Sequence, residues 1–442
     1  MHNFKDDFTF GVATAAFQIE GAYNEDGKTP SIWDTFCDKP GKVFNGDTGK
    51  IACDHYHRYK EDVKLLNYLG VDAYRFSISW ARIFPKKGEF NPKGIEFYKN
   101  LISELKLNGI KPVVTLYHWD LPQWAEDLGG WLNRDCISWF DKYCNKIFDE
   151  LGNSVFMWIT HNEPFCASFL SYAFGEHAPG HKDTKEALIV AHHLLLSHGL
   201  AVKSFRKKKL NSKIGITLNL APAYPYSNDE KDINIAKNSD GFLNRWFLDP
   251  VLKGFYPEDM IESYESKIGN LDFILPGDLE TISEESDFLG INYYSRSVVK
   301  YNESFDNNFE SVDIAKEKTA MGWEIYPEGL YNILNKIKNE YSNIPIYITE
   351  NGAAFDDKVE ENSVHDIKRK KYINEHLKQG LKFIENGGNL QGYFAWSFMD
   401  NFEWAHGYSK RFGLVHIDYD TQKRTLKDSA LWYKDVIKNR KL

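Results

Sequence analysis

The sequence predicts an α/β fold of eight successive strand–helix units, the count of a (β/α)₈ barrel. Three observations carry that reading. Short apolar runs alternate with longer amphipathic segments along all 442 residues, no Ser/Gly- or Pro-rich linker divides them, and conspicuous polar residues gather where the apolar runs finish. Periodicity alone leaves a doubly wound open sheet as the alternative, since closure has no periodic signature.

The first run, FTFGVA (8–13), follows the charged opening MHNFKDD, which lacks the apolar core of a secretory leader. AYRFSIS (73–79) follows a helical pattern over 56–69 and carries one charge, Arg75. PVVTLYH (112–118) follows the pattern over 95–108 and leads into Trp119; FMWITH (156–161) follows 135–151 and leads into Asn162-Glu163-Pro164. After the long pattern over 185–207 come IGITLNL (214–220) and FLGINYY (288–294), the latter holding Asn292 and Tyr294. IYITE (346–350) finishes on Glu350, and QGYFAWS (391–397), after the pattern over 367–386, contains Trp396. The Asn351-Gly352 pair reads as a surface turn, and the polar stretch 295–324 as a long loop over one barrel end.

Hydrophobic residues make up 42% of the chain and charged residues 26%, enough for a substantial core under an ordinary soluble surface. A net charge of −9 and a pI near 5.9 argue against nucleic acid or an anionic membrane as partner. No apolar stretch of about 18 residues stands out as a membrane span. The five cysteines (Cys37, Cys53, Cys136, Cys144, Cys166) are odd in number and lack a CxxC pair, so a reducing cytoplasm is expected. Aromatic residues reach 15%, with 12 Trp and 25 Tyr, and offer stacking faces for a flat apolar ligand surface.

Strand-ending glutamates focus the chemistry, because barrel sites form at the C-terminal ends of strands. Two glutamates facing each other resist double ionisation, so one stays a proton donor and the other an anion, which suits cleavage of a glycosidic bond. Pairing alone does not assign the two jobs. Pro164 should hold Glu163 extended. Asn162 and Glu163 can then share a cavity only if the strand leaves regular geometry, since strand neighbours face opposite ways. Arg75 needs an anion, either in this site or in a structural pair elsewhere. Glu403 beside Trp404 couples a hydroxyl acceptor to an aromatic face, as a pyranose requires. The histidine groups His55/His57 and His192/His193/His198 lack zinc spacing and read as structural or solvated, and 41–49 lacks a phosphate-loop pattern.

The motifs FTFGVATAAFQIEGA, YRFSISWARIFP, TLYHWDLPQWAEDLGGW, WITHNEP, LGINYYS, YITENG and FAWSFMDNFEWAHGYSKRFGLVHID run in this order nearly end to end. With them the chain resembles glycoside hydrolase family 1, the β-glucosidase family. The resemblance implies a single-domain (β/α)₈ TIM barrel over 1–442 with extended βα loops. It implies retaining cleavage of terminal β-D-glucosyl residues from small β-glucosides or oligosaccharides, without metal or organic cofactor. Glu163 would be the acid/base and Glu350 the nucleophile; Tyr294 and Arg75 would hold Glu350, and Asn292 would support Glu163. Gln18, His118, Trp119, Asn162, Glu403 and Trp404 would hydrogen-bond the terminal sugar. Trp396, with a cis bond to Ser397, would be its stacking platform, and Trp323 a wall for the leaving group. β-Galactosidase, β-fucosidase or 6-phospho-β-glucosidase activity, or sugar binding without catalysis, are the alternatives on the same scaffold. A carboxylate at Glu403 would repel a 6-phosphate, whereas Lys410-Arg411 lies close by in sequence. His161 stands where the motif more often has an apolar residue and is expected to pack away from the cavity.

Overall fold

A computed structural model describes residues 3–304 and 308–442 of the chain. Eight parallel strands form a closed barrel: β1 (Thr9–Ala13), β2 (Ala73–Ser77), β3 (Lys111–Tyr117), β4 (Met157–Asn162), β5 (Lys213–Asn219), β6 (Phe288–Asn292), β7 (Ile346–Asn351) and β8 (Leu390–Trp396). Gly11 of β1 lies opposite both Ala73 of β2 and Phe394 of β8, and this closure excludes the open doubly wound sheet. Every strand lies within two residues of its apolar run. Their near-complete burial is what helices on the outside and side-chain layers within demand.

A helix follows each strand: α1 (His55–Leu69), α2 (Pro92–Leu107), α3 (Asp135–Leu151), α4 (Thr184–Lys208), α5 (Trp246–Lys253), α6 (Glu328–Glu340), α7 (Ile367–Glu385) and α8 (Asp428–Asn439). The α2 start is set by Asn91, whose side chain accepts from the Lys93 N–H, and by Pro92 in the first turn. In α3 the stripe Phe140, Cys144, Ile147, Leu151 is buried, at the spacing of one helical face. The Asp183 carboxylate caps α4 by accepting from Lys185 and Glu186 N–H at 2.7 and 3.1 Å. By length and composition α4 is apolar enough to cross a bilayer, contrary to the sequence expectation. Its apolar window is 83% buried within the protein, so that character serves the core.

Two other expectations are corrected. The stretch 295–324 contains strands Ser297–Tyr301 and Phe309–Ser311, which join Ala223–Pro225 in a small sheet; residues 305–307 of that stretch lie outside the described residues. Val299 of this sheet packs with Ile235 and Ala236 in a small buried apolar cluster. Asn351-Gly352 is no surface turn, for both residues are buried. A Cβ on Gly352 would lie 1.7 Å from the Trp396 carbonyl oxygen, so the close approach of the end of β8 demands glycine there.

Candidate active site

Register brings the strand ends together. Glu350 on β7 lies opposite Asn292 on β6, Asn292 opposite Asn219 on β5, and Asn162 at the end of β4 opposite Thr217. β4 leaves regular pairing between Ile159 and Asn162, the departure that lets Asn162 and Glu163 reach one cavity. Glu163 itself is not extended. It takes the left-handed region at φ +50°, fixed by its N–H donating to Thr217 O (2.9 Å) and by the Trp119 indole donating to Asn162 O (2.8 Å). These bonds outweigh the bias of Pro164. Trp119 (φ +75°) and Trp404 (φ +47°), which also border this cavity, share the same costly backbone region.

Glu350 is held at both oxygens: Oε1 accepts from Arg75 Nη1 at 2.7 Å and Oε2 from the Tyr294 hydroxyl at 2.7 Å. The fully buried Arg75 thus finds its anion in the site. It also donates from Nη2 to Asn162 Oδ1 (2.6 Å), from Nη1 to Thr349 O (2.9 Å) and from Nε to Thr115 Oγ1 (3.2 Å). Glu163 receives a neutral amide instead, Asn292 Nδ2 donating to Oε1 at 2.6 Å. Asn292 is aimed by Thr349, whose hydroxyl donates to Asn292 Oδ1 at 2.8 Å.

The two carboxyls are 5% and 3% exposed, and burial pushes both above the ordinary carboxylate range. The negative charge of Glu350 raises Glu163 further, with only Asn292 and weaker groups opposing. In Glu350 the Arg75 cation and the Tyr294 donor work against burial. The first ionisation of the pair therefore belongs to Glu350, and the remaining proton rests on Glu163.

Among the buried polar atoms without a hydrogen-bond partner among the described residues are Gln18 Oε1, His118 Nδ1 and Glu403 Oε2. Gln18 is oriented by donating to Asn401 Oδ1 (3.0 Å) and Phe402 O (2.8 Å). The His118 ring lies 6.0 Å from each of Trp396 and Trp404 and is nearly parallel to both. Buried groups are ordinarily satisfied, so three orphans beside two indole faces fit a hydroxyl-rich ring-shaped ligand. Trp119 packs at 4.7 Å on Trp404, but its N–H is committed to Asn162 O, which leaves its ring rather than its donor for a ligand. The Trp396–Ser397 bond is cis. Half-buried Trp323 stands 5.3 Å from the Tyr294 ring.

Burial, and then the neighbouring Glu350 and Glu163 carboxyls, push the Glu403 carboxyl up to about 8. The cations that lie near Glu403 in sequence have partners within the protein. Lys410 Nζ donates to Ala320 O at 2.7 Å, and Arg411 Nη1 to Asp400 Oδ2 at 2.7 Å. His161 packs outward, with Nε2 2.8 Å from Ser197 Oγ and its ring stacked 4.6 Å from Phe140. The other histidines are dispersed among separate partners: His55 with Asp62, His57 with Asp54 and Glu25, His192 with Asp278, His193 with Trp131 O, His198 with Thr160. Sequence reasoning missed Asn401 and Thr349, the residues that aim Gln18 and Asn292; a threonine inside IYITE signals nothing beyond strand propensity.

An acid and an anion paired at a barrel mouth, with sugar-shaped walls, form the apparatus of a glycosidase. The chain matches the model of glycosyl hydrolase family 1 over residues 1–442 and belongs to that family. It is 51% identical to β-glucosidase A of Acetivibrio thermocellus, across 99% of this chain and 98% of that protein. It is 47% identical to a 1,4-β-D-glucan glucohydrolase of Thermotoga neapolitana, across 99% of each. The crystal structure of a β-glucosidase from Exiguobacterium marinum matches it with a TM-score of 0.98 at 53% identity, covering 100% of both chains.

Proposed function

We propose that this chain is a retaining, exo-acting β-glucosidase that removes terminal β-D-glucosyl residues from β-glucosides and short cellobiose-like oligosaccharides. The inequality of the carboxyl pair carries the reading: Glu350 has a cation and a phenol at its oxygens, Glu163 the neutral Asn292 amide and Cys166 thiol. In the first step the Glu350 carboxylate attacks the anomeric carbon while Glu163 gives its proton to the departing glycosidic oxygen. The bond to the aglycone breaks as the glucosyl–Glu350 ester forms. Glu163, now a carboxylate, takes a proton from water; the hydroxyl oxygen attacks the anomeric carbon, and Glu350 leaves as an anion. Two inversions give net retention. Arg75, by touching both Glu350 and Asn162, keeps the nucleophile in register with the residue placed to meet the sugar's 2-hydroxyl.

Gln18, His118 and Glu403 would bind the sugar hydroxyls through their unpartnered atoms, with Trp396 beneath the C–H face and Trp323 beside the aglycone. The five cysteines are unpaired and buried, which supports a reducing cytoplasm as the working compartment. Release of nitrophenol from an aryl β-glucoside by the wild type, and its loss in Glu350→Gln, test the assignment. A wild type that binds glucose but releases no nitrophenol favours the sugar-binding alternative. Undiminished release by Glu350→Gln removes that residue from the mechanism.

A further inference from the structure

Behind the sugar-facing loop lies an ionic cluster that the chemistry above does not use. Asp400 is fully buried; its Oδ1 accepts from Lys427 Nζ (2.7 Å) and Gly413 N–H (2.9 Å), and its Oδ2 from Arg411 Nη1 (2.7 Å). Lys427, also fully buried, reaches on to Asp357 Oδ2 at 2.5 Å. Arg369 donates to that same oxygen at 2.7 Å, to Asp366 Oδ2 at 2.5 Å, to Arg411 O at 2.7 Å and to Ala353 O at 3.2 Å. Three carboxylates thus balance three cations, and burial is offset by mutual pairing.

The cluster joins two parts of the active site. Ala353 and Asp357 follow the β7 strand that carries Glu350, while Asp400 and Arg411 bracket the segment that carries Glu403 and Trp404. Between Asp400 and Glu403 stand only Asn401 and Phe402, and both are pinned by Gln18. On the other side, the Glu403 N–H donates to Gly407 O at 2.7 Å. A shift of Asp400 therefore has a three-residue path to the Glu403 carboxyl, whose Oε2 has no hydrogen-bond partner among the described residues.

We propose that Lys427 and Arg411 are positioning residues for glycone specificity: by clamping Asp400 they fix Glu403 where it meets the 6-hydroxymethyl group of a terminal glucose. The inference rests on the β-glucosidase reading and adds residues that touch no substrate. A cluster serving stability alone would lower the active fraction and so depress all substrates alike. A positioning cluster lowers the preference for sugars that present a 6-hydroxyl.

The test compares kcat/KM on 4-nitrophenyl β-glucoside and 4-nitrophenyl β-xyloside, whose sugar lacks that group, for the full chain and for Lys427→Met, Arg411→Met and Arg411→Lys. The glucoside-to-xyloside ratio is insensitive to active fraction. It should fall about tenfold in both methionine variants and stay within about threefold of wild type in Arg411→Lys. Adding Arg411→Met to Glu403→Ala should leave the ratio of Glu403→Ala unchanged, because the contact being positioned is already gone. Should Lys427→Met fail to fold, Arg411→Met, whose side chain is 22% exposed, carries the test. An equal fall on both substrates, or a further fall in the double variant, overturns the inference alone. A wild type that cleaves neither glycoside overturns the β-glucosidase reading, and the inference with it.

Discussion

Tyr294→Phe removes one hydrogen bond from Glu350 and little else. The ring keeps its places 5.3 Å from Trp323 and 6.2 Å from Phe412, while the hydroxyl 2.7 Å from Glu350 Oε2 disappears. As a donor, that hydroxyl favours the anion over the acid, so its loss raises the pKa of Glu350. A hydrogen bond to a charged group contributes about 1.5–3 kcal/mol, and one pKa unit corresponds to about 1.4 kcal/mol. The expected rise is therefore about one to two units. The wild-type profile of kcat/KM against pH should be bell-shaped, with the acid limb reporting Glu350 ionising and the alkaline limb Glu163 losing its proton. In Tyr294→Phe the acid limb should move up by the same one to two units, about the size of the lost bond. The alkaline limb should stay, because Glu350 is already ionised throughout that range. An acid limb that does not move refutes the assignment of Glu350 as the anion. Two limbs that move together refute the division of roles between the carboxyls.

In Asn292→Ala the alkaline limb should rise, since the amide 2.6 Å from Glu163 Oε1 favours its ionised form; the acid limb should move less, because Arg75 and Tyr294 still hold Glu350. Arg75→Met leaves a buried carboxylate without its cation, which should cost about 3–5 kcal/mol in thermal or urea unfolding. Adding Glu350→Gln should recover part of that stability without restoring activity, since the stranded charge is gone. Gly352→Ala places a methyl 1.7 Å from Trp396 O and should destabilise the chain by about 1–3 kcal/mol or more in the urea midpoint, with kcat falling as β7 and β8 are forced apart.

The eight strands were legible because each is an apolar run whose burial depends on its own side chains. Glu163, Glu350 and Arg75 stood out because charge is costly in such runs, and the structure joins Arg75 to Glu350 as charge balance requires. What could not be read depends on partners remote in the chain. The left-handed turn at Glu163 is set by Thr217, not by the adjacent proline. Gly352 is required by Trp396 rather than by any turn of its own, and Val299 of the strand Ser297–Tyr301 packs with Ile235 and Ala236. The upward shift of Glu403 follows from its burial and then from carboxyls lying 53 and 240 positions earlier in the chain, a relation no local pattern records.

Closure between Leu390–Trp396 and Thr9–Ala13 has a consequence for how the chain is made. During translation both glutamates leave the ribosome well before the segment that seals the sheet. Until then two strand borders, at β1 and β7, present free amides and carbonyls that invite pairing with other nascent chains. A fragment stopped short of position 390 would carry both Glu163 and Glu350 and still lack the stave that turns a ribbon into a vessel.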